Sequence, residues 1–288
     1  MQSAAKTKKN KKKFGLLPAK EAEVEPWTTL CVDLIGPYEF NHKGKSSTTL
    51  KAVTMIDPAT SCFEVQQYSD KQAITIANIV EMEWISRYPR PVKVIFDRGN
   101  EFMGQDFRSM LTDYGIRKKP ISTRNPQANS IVERVHQTIG DILRSMELND
   151  QKLTKDSWKG ILAATAFAVR STVHTTLQAT PGQLVFGRDM MLPIKYTANW
   201  KLIKERKQQR INDNNKRENK GRIPYNYQEG DLVMVKDDIL GKKFKVPFQG
   251  PFKVLRVFSN GTLRLQMNKI QDTVNIRRCH PYKTKTNK

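Results

Sequence analysis

The sequence predicts a mixed α/β domain followed by a small all-β domain, and three observations carry that prediction. Apolar strand-like runs at about 27–36, 49–56 and 61–68 come first, with turn chemistry between them at Asn41–Ser47 and Asp57-Pro58. Helical and strand-like segments then alternate to about residue 173. Beyond Gly230 the chain reads as short strands and turns.

Each element has a local reason. Within 70–88, Ala73, Ile76, Ala77, Val80 and Trp84 recur on one helical side, and Pro89 and Pro91 end the helix. A strand covers 92–96, a helix about 104–114 and a short strand 116–119. Over 127–147, Ala128, Ile131, Val132, Val135, Ile139, Ile142, Leu143 and Met146 fall within an arc of about 120° at ~100° per residue. A further helix, 156–173, closes the domain, and 174–200 reads as an irregular connection. Residues 201–222 hold nine Lys/Arg against three acids and form a basic linker or an exposed helix. Leu232–Val235, Phe252–Phe258, Leu263–Met267 and Val274–Arg277 read as strands, with Asn260-Gly261 a strong hairpin signal. The resulting division is a basic disordered arm 1–25, the α/β domain 26–195, a basic linker 196–229, the all-β domain 230–283 and a tail 284–288.

Charge is distributed as unevenly as structure. The net charge of +22 points toward a polyanion. Residues 1–20 carry seven lysines and no acid, whereas 21–200 carry 21 Lys/Arg against 20 Asp/Glu, and 201–288 carry 22 against eight. Basic flanks around a balanced centre suit a protein that holds a phosphate backbone with its arms. Three widely separated cysteines give no disulfide framework and no zinc pair. The longest apolar-leaning run, Ile161–Val169, falls short of the ~20 residues a membrane span needs, so no membrane is expected. Lys6-Thr-Lys-Lys-Asn-Lys-Lys-Lys13 suits nuclear import and phosphate binding equally.

Three acids sit where packing prefers apolar residues. Asp33 interrupts Trp27-Thr-Thr-Leu-Cys-Val-Asp-Leu-Ile35, Asp97 closes Val92-Lys-Val-Ile-Phe-Asp97, and Glu133 lies near the start of the 127–147 helix. Acids brought together repel and bind protons unless divalent cations hold them ionised, which is the requirement of two-metal phosphoryl transfer. Spacing adds little, because 28 acids in 288 residues produce any chosen interval by chance. On periodicity, Glu133 is an ordinary exposed helical residue, and on the residues by themselves a metal-binding trio and three separate structural acids stand level.

A resemblance separates these readings. Asp33-Leu-Ile-Gly-Pro37, Phe96-Asp-Arg-Gly-Asn-Glu-Phe102 and Asn125-Pro-Gln-Ala-Asn-Ser-Ile-Val-Glu-Arg134, with 35 residues between Asp97 and Glu133, resemble the acidic blocks of retroviral and LTR-retrotransposon integrases, most closely those of gypsy-type elements. Thr180-Pro-Gly-Gln-Leu-Val-Phe-Gly-Arg188 continues it. Gly250-Pro-Phe252 resembles the GPY/F block of gypsy-type C-terminal domains, and Val274-Asn-Ile-Arg-Arg-Cys-His-Pro-Tyr282 resembles their last strand. The likeness runs in order over roughly 14–283.

The resemblance implies an α/β ribonuclease-H-like catalytic core followed by an SH3-like barrel. It implies metal-dependent 3′-end processing and strand transfer of retroelement DNA, a nucleotidyltransferase and endonuclease activity. Asp33, Asp97 and Glu133 would be catalytic and would hold two Mg²⁺ (or Mn²⁺) ions. Asn125, Gln127 and Asn129 would shape a loop that positions DNA ends, with Arg134, Gln137 and Arg144 contacting DNA from the helix. Lys118 and Lys119, with Arg264, Arg277 and Arg278 on the barrel, are phosphate-contact candidates, though a solvated face would look the same. His136 reads as a helix-surface residue rather than a metal ligand. Implied partners are double-stranded DNA of element ends and target, and further copies of the chain as a dimer or tetramer, with room for a chromatin tether. The location would be nuclear, with a cytoplasmic particle stage. Integrases of this kind usually carry an N-terminal zinc domain. Here His42, His136, His174 and His280 do not pair with cysteines at ligand spacing, so no zinc is expected and the chain reads as shortened. Asn125 and Ser130 stand where many such sequences have His and Gly. The rival reading is a catalytically silent DNA- or chromatin-binding relic, or a domesticated fragment. A ribonuclease H is the weaker rival, since it would leave the Pro-Gln-Asn lead and the barrel without a role.

Overall fold

A computed structural model describes residues 13–40, 48–121, 136–137, 139–141, 144, 155–236, 248–268 and 270–282. Two compact units result, one of Ala22–Lys207 and one that joins the N-terminal stretch to Gln208–Lys288.

The larger unit is a five-stranded mixed sheet. Strands β2 (Thr29–Phe40), β3 (Thr48–Ile56) and β4 (Phe63–Gln67) pair antiparallel, and β5 (Lys93–Phe96) and β6 (Arg117–Pro120) join parallel, in the order β4-β3-β2-β5-β6. Period-two alternation divides the strands between two cores. Leu30, Val32, Val53, Met55, Val94 and Phe96 meet Ile76 and Val80 of α1 (Ala73–Val80) and Phe107 and Leu111 of α3 (Gln105–Asp113). The short helix α2 (Asn100–Met103) adds Phe102 to this core. On the opposite face Cys31, Ile35, Ala52, Ile56 and Ile95 meet Ile139 and, from α4 (Lys155–Ser171), Trp158, Leu162 and Ala166. Helices thus cover both sheet faces, the layering expected of the ribonuclease-H-like core.

The β2–β3 pairing is irregular after Ile35. Gly36 has φ +91°, and a Cβ there would lie 2.5 Å from the Leu50 carbonyl oxygen, which is why the motif Asp33-Leu-Ile-Gly-Pro37 needs glycine. Register shifts between Ile35 and Tyr38 at this point.

The segment 174–200 is more ordered than its sequence suggests. It contains α5 (Pro181–Phe186), opened by a capping box between Thr180 and Gln183 and closed by Gly187 in the left-handed region. Residues 201–222, read as a basic linker or an exposed helix, are largely helix α6 (Trp200–Asn219), whose Ile203 is buried against Leu177, Ala179 and Leu184. Its low apolar periodicity matches a helix whose buried residue is Ile203, near its start.

The smaller unit is an antiparallel five-stranded sheet of β8 (Leu232–Lys236), β9 (Phe248–Phe258), β10 (Thr262–Met267), β11 (Ile270–Asn275) and β12 (Cys279–Pro281), ordered β11-β10-β9-β8-β12. Its core is Val233, Val235, Phe252, Val254, Leu263, Leu265, Val274, Ile276 and Cys279. Gly250 has φ +123°, and a Cβ there would lie 2.9 Å from the Val233 carbonyl oxygen, which gives the Gly250-Pro-Phe252 block its physical basis. Arg277 and Arg278 do not continue a strand but form a 3-10 turn, Ile276–Arg278.

One expectation is overturned at the N-terminus. Residues 13–18, predicted as part of a disordered arm, are built into this unit. Strand β1 (Lys13–Phe14) pairs parallel with β7 (Arg222–Ile223), and Leu17 and Tyr227 are buried in the barrel core. Arg222 is itself buried and donates to the carbonyls of Gly15, Phe14 and Ile276. A handful of apolar residues beside a lysine run has no periodicity to read, so composition pointed to disorder.

Candidate active site

Asp33 lies within β2, and Asp97 lies one residue past the end of β5, the strand that pairs with it in parallel. Parallel pairs Thr29–Lys93, Leu30–Val94 and Cys31–Ile95 keep a constant offset of 64 positions, the same interval that separates Asp33 from Asp97 beyond the last pair. Adjacent strands lie about 4.8 Å apart. By alternation Asp33 belongs to the face lined by Cys31, Ile35 and Ile95.

Both carboxylates are half-buried and anchored from behind. Asp33 Oδ1 accepts from the Leu34 N–H at 2.9 Å, and Asp97 Oδ1 accepts from the Gly99 N–H at 2.9 Å. Among the described residues no lysine or arginine forms an ion pair with Asp97. The molecule's other inward acids are treated differently. Glu64 is met by the Arg170 guanidinium and the Tyr88 hydroxyl. Fully buried Asp57 accepts from the N–H groups of Trp27, Ala59 and Thr60 and from the Thr60 hydroxyl, while burial pushes its carboxyl upward. Sequence reasoning missed both as structural acids; Asp57-Pro58 was read only as a turn.

A polar bridge links Asp33 to the helical segment that follows Glu133. Thr54 is the cross-strand partner of Asp33, and its hydroxyl donates to the Asp33 carbonyl at 3.0 Å. The same hydroxyl lies 2.9 Å from His136 Nε2. Thr54 Oγ1 has one proton and gives it to Asp33, so the ring nitrogen is assigned as the donor. His136 is half-buried rather than exposed: burial pushes its pKa down to about 4, and the imidazole is neutral at physiological pH. Ile139 of the same segment is buried on the acid-bearing face.

The remaining candidates separate by environment. Glu133, Asn125, Gln127, Asn129 and Arg134 lie outside the described residues. Gln137 is exposed, and exposed Arg144 is ion-paired with Asp141 of its own helix. Lys118 and Lys119 point to opposite faces: Lys119 pairs in register with Ile95 on the acid-bearing side, whereas Lys118 pairs with Val94 and donates to Thr112 of α3 at 2.6 Å. Arg277 is ion-paired with Glu218 at 2.6 Å, and Arg278 donates to the Lys236 carbonyl at 2.9 Å. Arg264 is exposed on the barrel sheet.

Among the described residues no cluster of three His, Cys, Asp or Glu side chains forms. Both carboxylates offer oxygen donors, which suit a hard divalent cation, and Asp97 forms no ion pair among the described residues. Cys31, Cys62 and Cys279 are buried, with thiols pushed up to about 12 by burial, which suits packing rather than thiolate chemistry. No helix among the described residues is long and apolar enough to cross a membrane.

No family model matches the chain. Curated relatives and a solved structure do. The chain is 23% identical over 261 residues to the retrovirus-related Pol polyprotein from transposon 412 of Drosophila melanogaster, covering 83% of this chain and 20% of that one. It is 26% identical over 168 residues to gypsy retrotransposon integrase-like protein 1 of Pongo abelii, covering 58% and 30%. The chain therefore spans about a fifth of the length of the first relative and under a third of the second. A chain of the simian T-cell lymphotropic virus intasome, solved in complex with PP2A regulatory subunit B56 gamma, superposes with a TM-score of 0.60 at 14% identity, covering 95% of this chain and 86% of that one. That likeness establishes the fold, and the sequence matches establish kinship. The chain is a relative of retrotransposon and retroviral Pol polyproteins and of a gypsy integrase-like protein, built on the retroviral-integrase fold.

Proposed function

We propose that the chain is a retroelement integrase that trims the 3′ ends of element DNA and joins them to target DNA. The observation that carries this reading is the parallel pairing of β2 with β5, whose register runs toward Asp33 on one strand and Asp97, one residue past the end of the other, with no ion pair to Asp97 among the described residues.

Asp33 and Asp97 would hold the metal ions, Mg²⁺ or Mn²⁺, and Glu133, three positions before His136, would complete the site. When bound, a pair of hard cations supplies Lewis acidity at the attacking and leaving oxygens of an in-line displacement. In end processing, a water oxygen forms a bond to phosphorus, the bond from phosphorus to the 3′-oxygen breaks, and that oxygen leaves with a proton as a 3′-hydroxyl. In strand transfer the new 3′-hydroxyl takes the water's place and attacks a target phosphodiester, so one ester bond replaces another. Backbone N–H groups of Leu34 and Gly99 fix the two carboxylates, so little reorganisation is needed when substrate arrives. Thr54 and His136 tie the helical segment that begins at His136 to the sheet, as positioning residues. Asn125, Gln127 and Asn129 would place the DNA end, and Lys119 lies on the appropriate sheet face to meet its backbone. Double-stranded DNA, a homo-oligomer and a nuclear location complete the reading.

The test is incubation of the chain with labelled terminal-repeat DNA and Mg²⁺ or Mn²⁺, beside Asp97→Asn. Nicking and joining are expected from the native chain, with a loss of at least a hundredfold in the variant and DNA affinity retained. Equal product from both would refute the assignment. No metal-dependent product from either would favour a DNA-binding protein without catalysis.

A further inference from the structure

We infer that Tyr38 is a substrate contact of the acid-bearing site, its phenol donating a hydrogen bond to the backbone of the element end close to the reacting phosphate. The inference rests on the integrase reading above and adds a residue that the acidic blocks do not contain.

A strand and a helix lead away from the acids in step. Tyr38 lies on β2 five positions beyond Asp33, past the irregularity that follows Ile35. It is half-buried and packs against the cluster of Cys31, Ile35, Ile95 and Ile139, on the face to which Asp33 belongs. The helical segment over this face runs the same way. His136 meets Thr54, the cross-strand partner of Asp33, and Gly140, four positions on, faces Tyr38. Four helical residues advance ~6 Å, which sets the phenol about that far from the Thr54–His136 contact.

Gly140 leaves space there. A Cβ at this position would lie 3.9 Å from the Tyr38 hydroxyl oxygen, an ordinary contact, and among the described residues nothing outside its own helix comes closer. Packing on the sheet therefore does not demand glycine, which weakens a helix relative to alanine. What glycine preserves is an opening beside the phenol.

The hydroxyl itself is uncommitted. Tyr88, Tyr114, Tyr225 and Tyr227 each donate to a partner, respectively Glu64, Glu81, Asp231 and the Cys279 carbonyl. Among the described residues Tyr38 has no such acceptor. Burial pushes its phenol up, opposed by the Arg144 guanidinium, so at neutral pH it keeps its proton and is a donor. Arg144, itself ion-paired with Asp141, lies one turn beyond Gly140. A free donor beside a cation suits an anionic oxygen, and tyrosine hydroxyls are among the groups that fix DNA register through its phosphates. At ~3.4 Å per nucleotide along one strand, the contact falls about two nucleotides from the reacting phosphate.

The test uses the full chain and terminal-repeat duplexes that carry a tethered thiol. Cys31, Cys62 and Cys279 are buried, which keeps background low. Tyr38→Cys should form a disulfide with a thiol placed about two nucleotides from the processed phosphate, roughly tenfold more than with one placed about ten nucleotides away. In nicking kinetics Tyr38→Phe should raise KM about five- to tenfold and leave kcat within about twofold, the pattern of lost uniform binding. Gly140→Leu, which fills the opening and keeps the phenol, should raise KM likewise, with thermal unfolding of each variant showing that it is folded. A lowered melting temperature in Tyr38→Phe with KM unchanged would mark a packing residue and overturn the inference. Equal cross-linking at both thiol positions, with native nicking intact, would also overturn it and leave the integrase reading standing. No nicking from the native chain would overturn that reading instead, and a disulfide confined to the end position would still support the contact.

Discussion

A half-buried acid is interpretable through what meets it. Glu64 has a guanidinium and a phenol, and Asp57 has a ring of N–H and O–H donors, so each is a finished structural element. Asp97 receives a backbone N–H and no salt bridge among the described residues. His136 shows the limit of reading such residues from sequence: its helix-surface expectation failed because Thr54, more than eighty positions away, supplies the partner. Its titration gives a prediction. The folded value, about 4, lies below the ordinary 6.5, so its contribution to stability is present above pH 6.5 and is lost as pH falls toward 4. After discount for partial exposure, this is on the order of 2 kcal/mol. Thermal unfolding of the native chain should therefore decline more steeply between pH 6.5 and 4.5 than that of His136→Gln, and parallel curves would contradict the assignment.

At the scale of elements, periodicity exposed what packing alone creates and missed what partners create. The strands bearing Asp33 and Asp97 were legible as apolar runs interrupted by an acid. Their register was not, because parallel pairing between distant strands leaves no local mark. Helix α5 was legible and overlooked: Thr180-Pro-Gly-Gln183 spells a capping box with proline at the first turn. Thr180→Ala should cost about 1 kcal/mol in chemical denaturation of the larger unit. The N-terminal strap is the opposite case, since Leu17 finds its partners in strands more than two hundred residues later. Leu17→Ala should destabilise the barrel by roughly 2–4 kcal/mol. Hydrogen exchange of β9 and β10 amides in the full chain measures it, and unchanged protection would show that the strap is dispensable.

For the molecule as a whole, the charge division has a measurable consequence. The stretch 21–200 is nearly neutral, while the Lys/Arg excess sits on either side of it. The isolated stretch 22–207 should bind duplex DNA with a markedly flatter salt dependence than the full chain, and equal slopes would place the phosphate contacts on the acid-bearing unit instead. Composition made this polarity visible, but it could not show that the barrel unit takes residues from both ends of the sequence.

That shared origin sets an order of events during synthesis. Asn219 fixes Leu17 through two hydrogen bonds, and Arg222 closes over Gly15, across 202 and 207 positions of sequence. Phe14 and Leu17 leave the ribosome long before any of these partners exist. The barrel cannot be completed as a local event on the nascent chain, and its first-made strand must wait, uncovered, for the last ones to emerge.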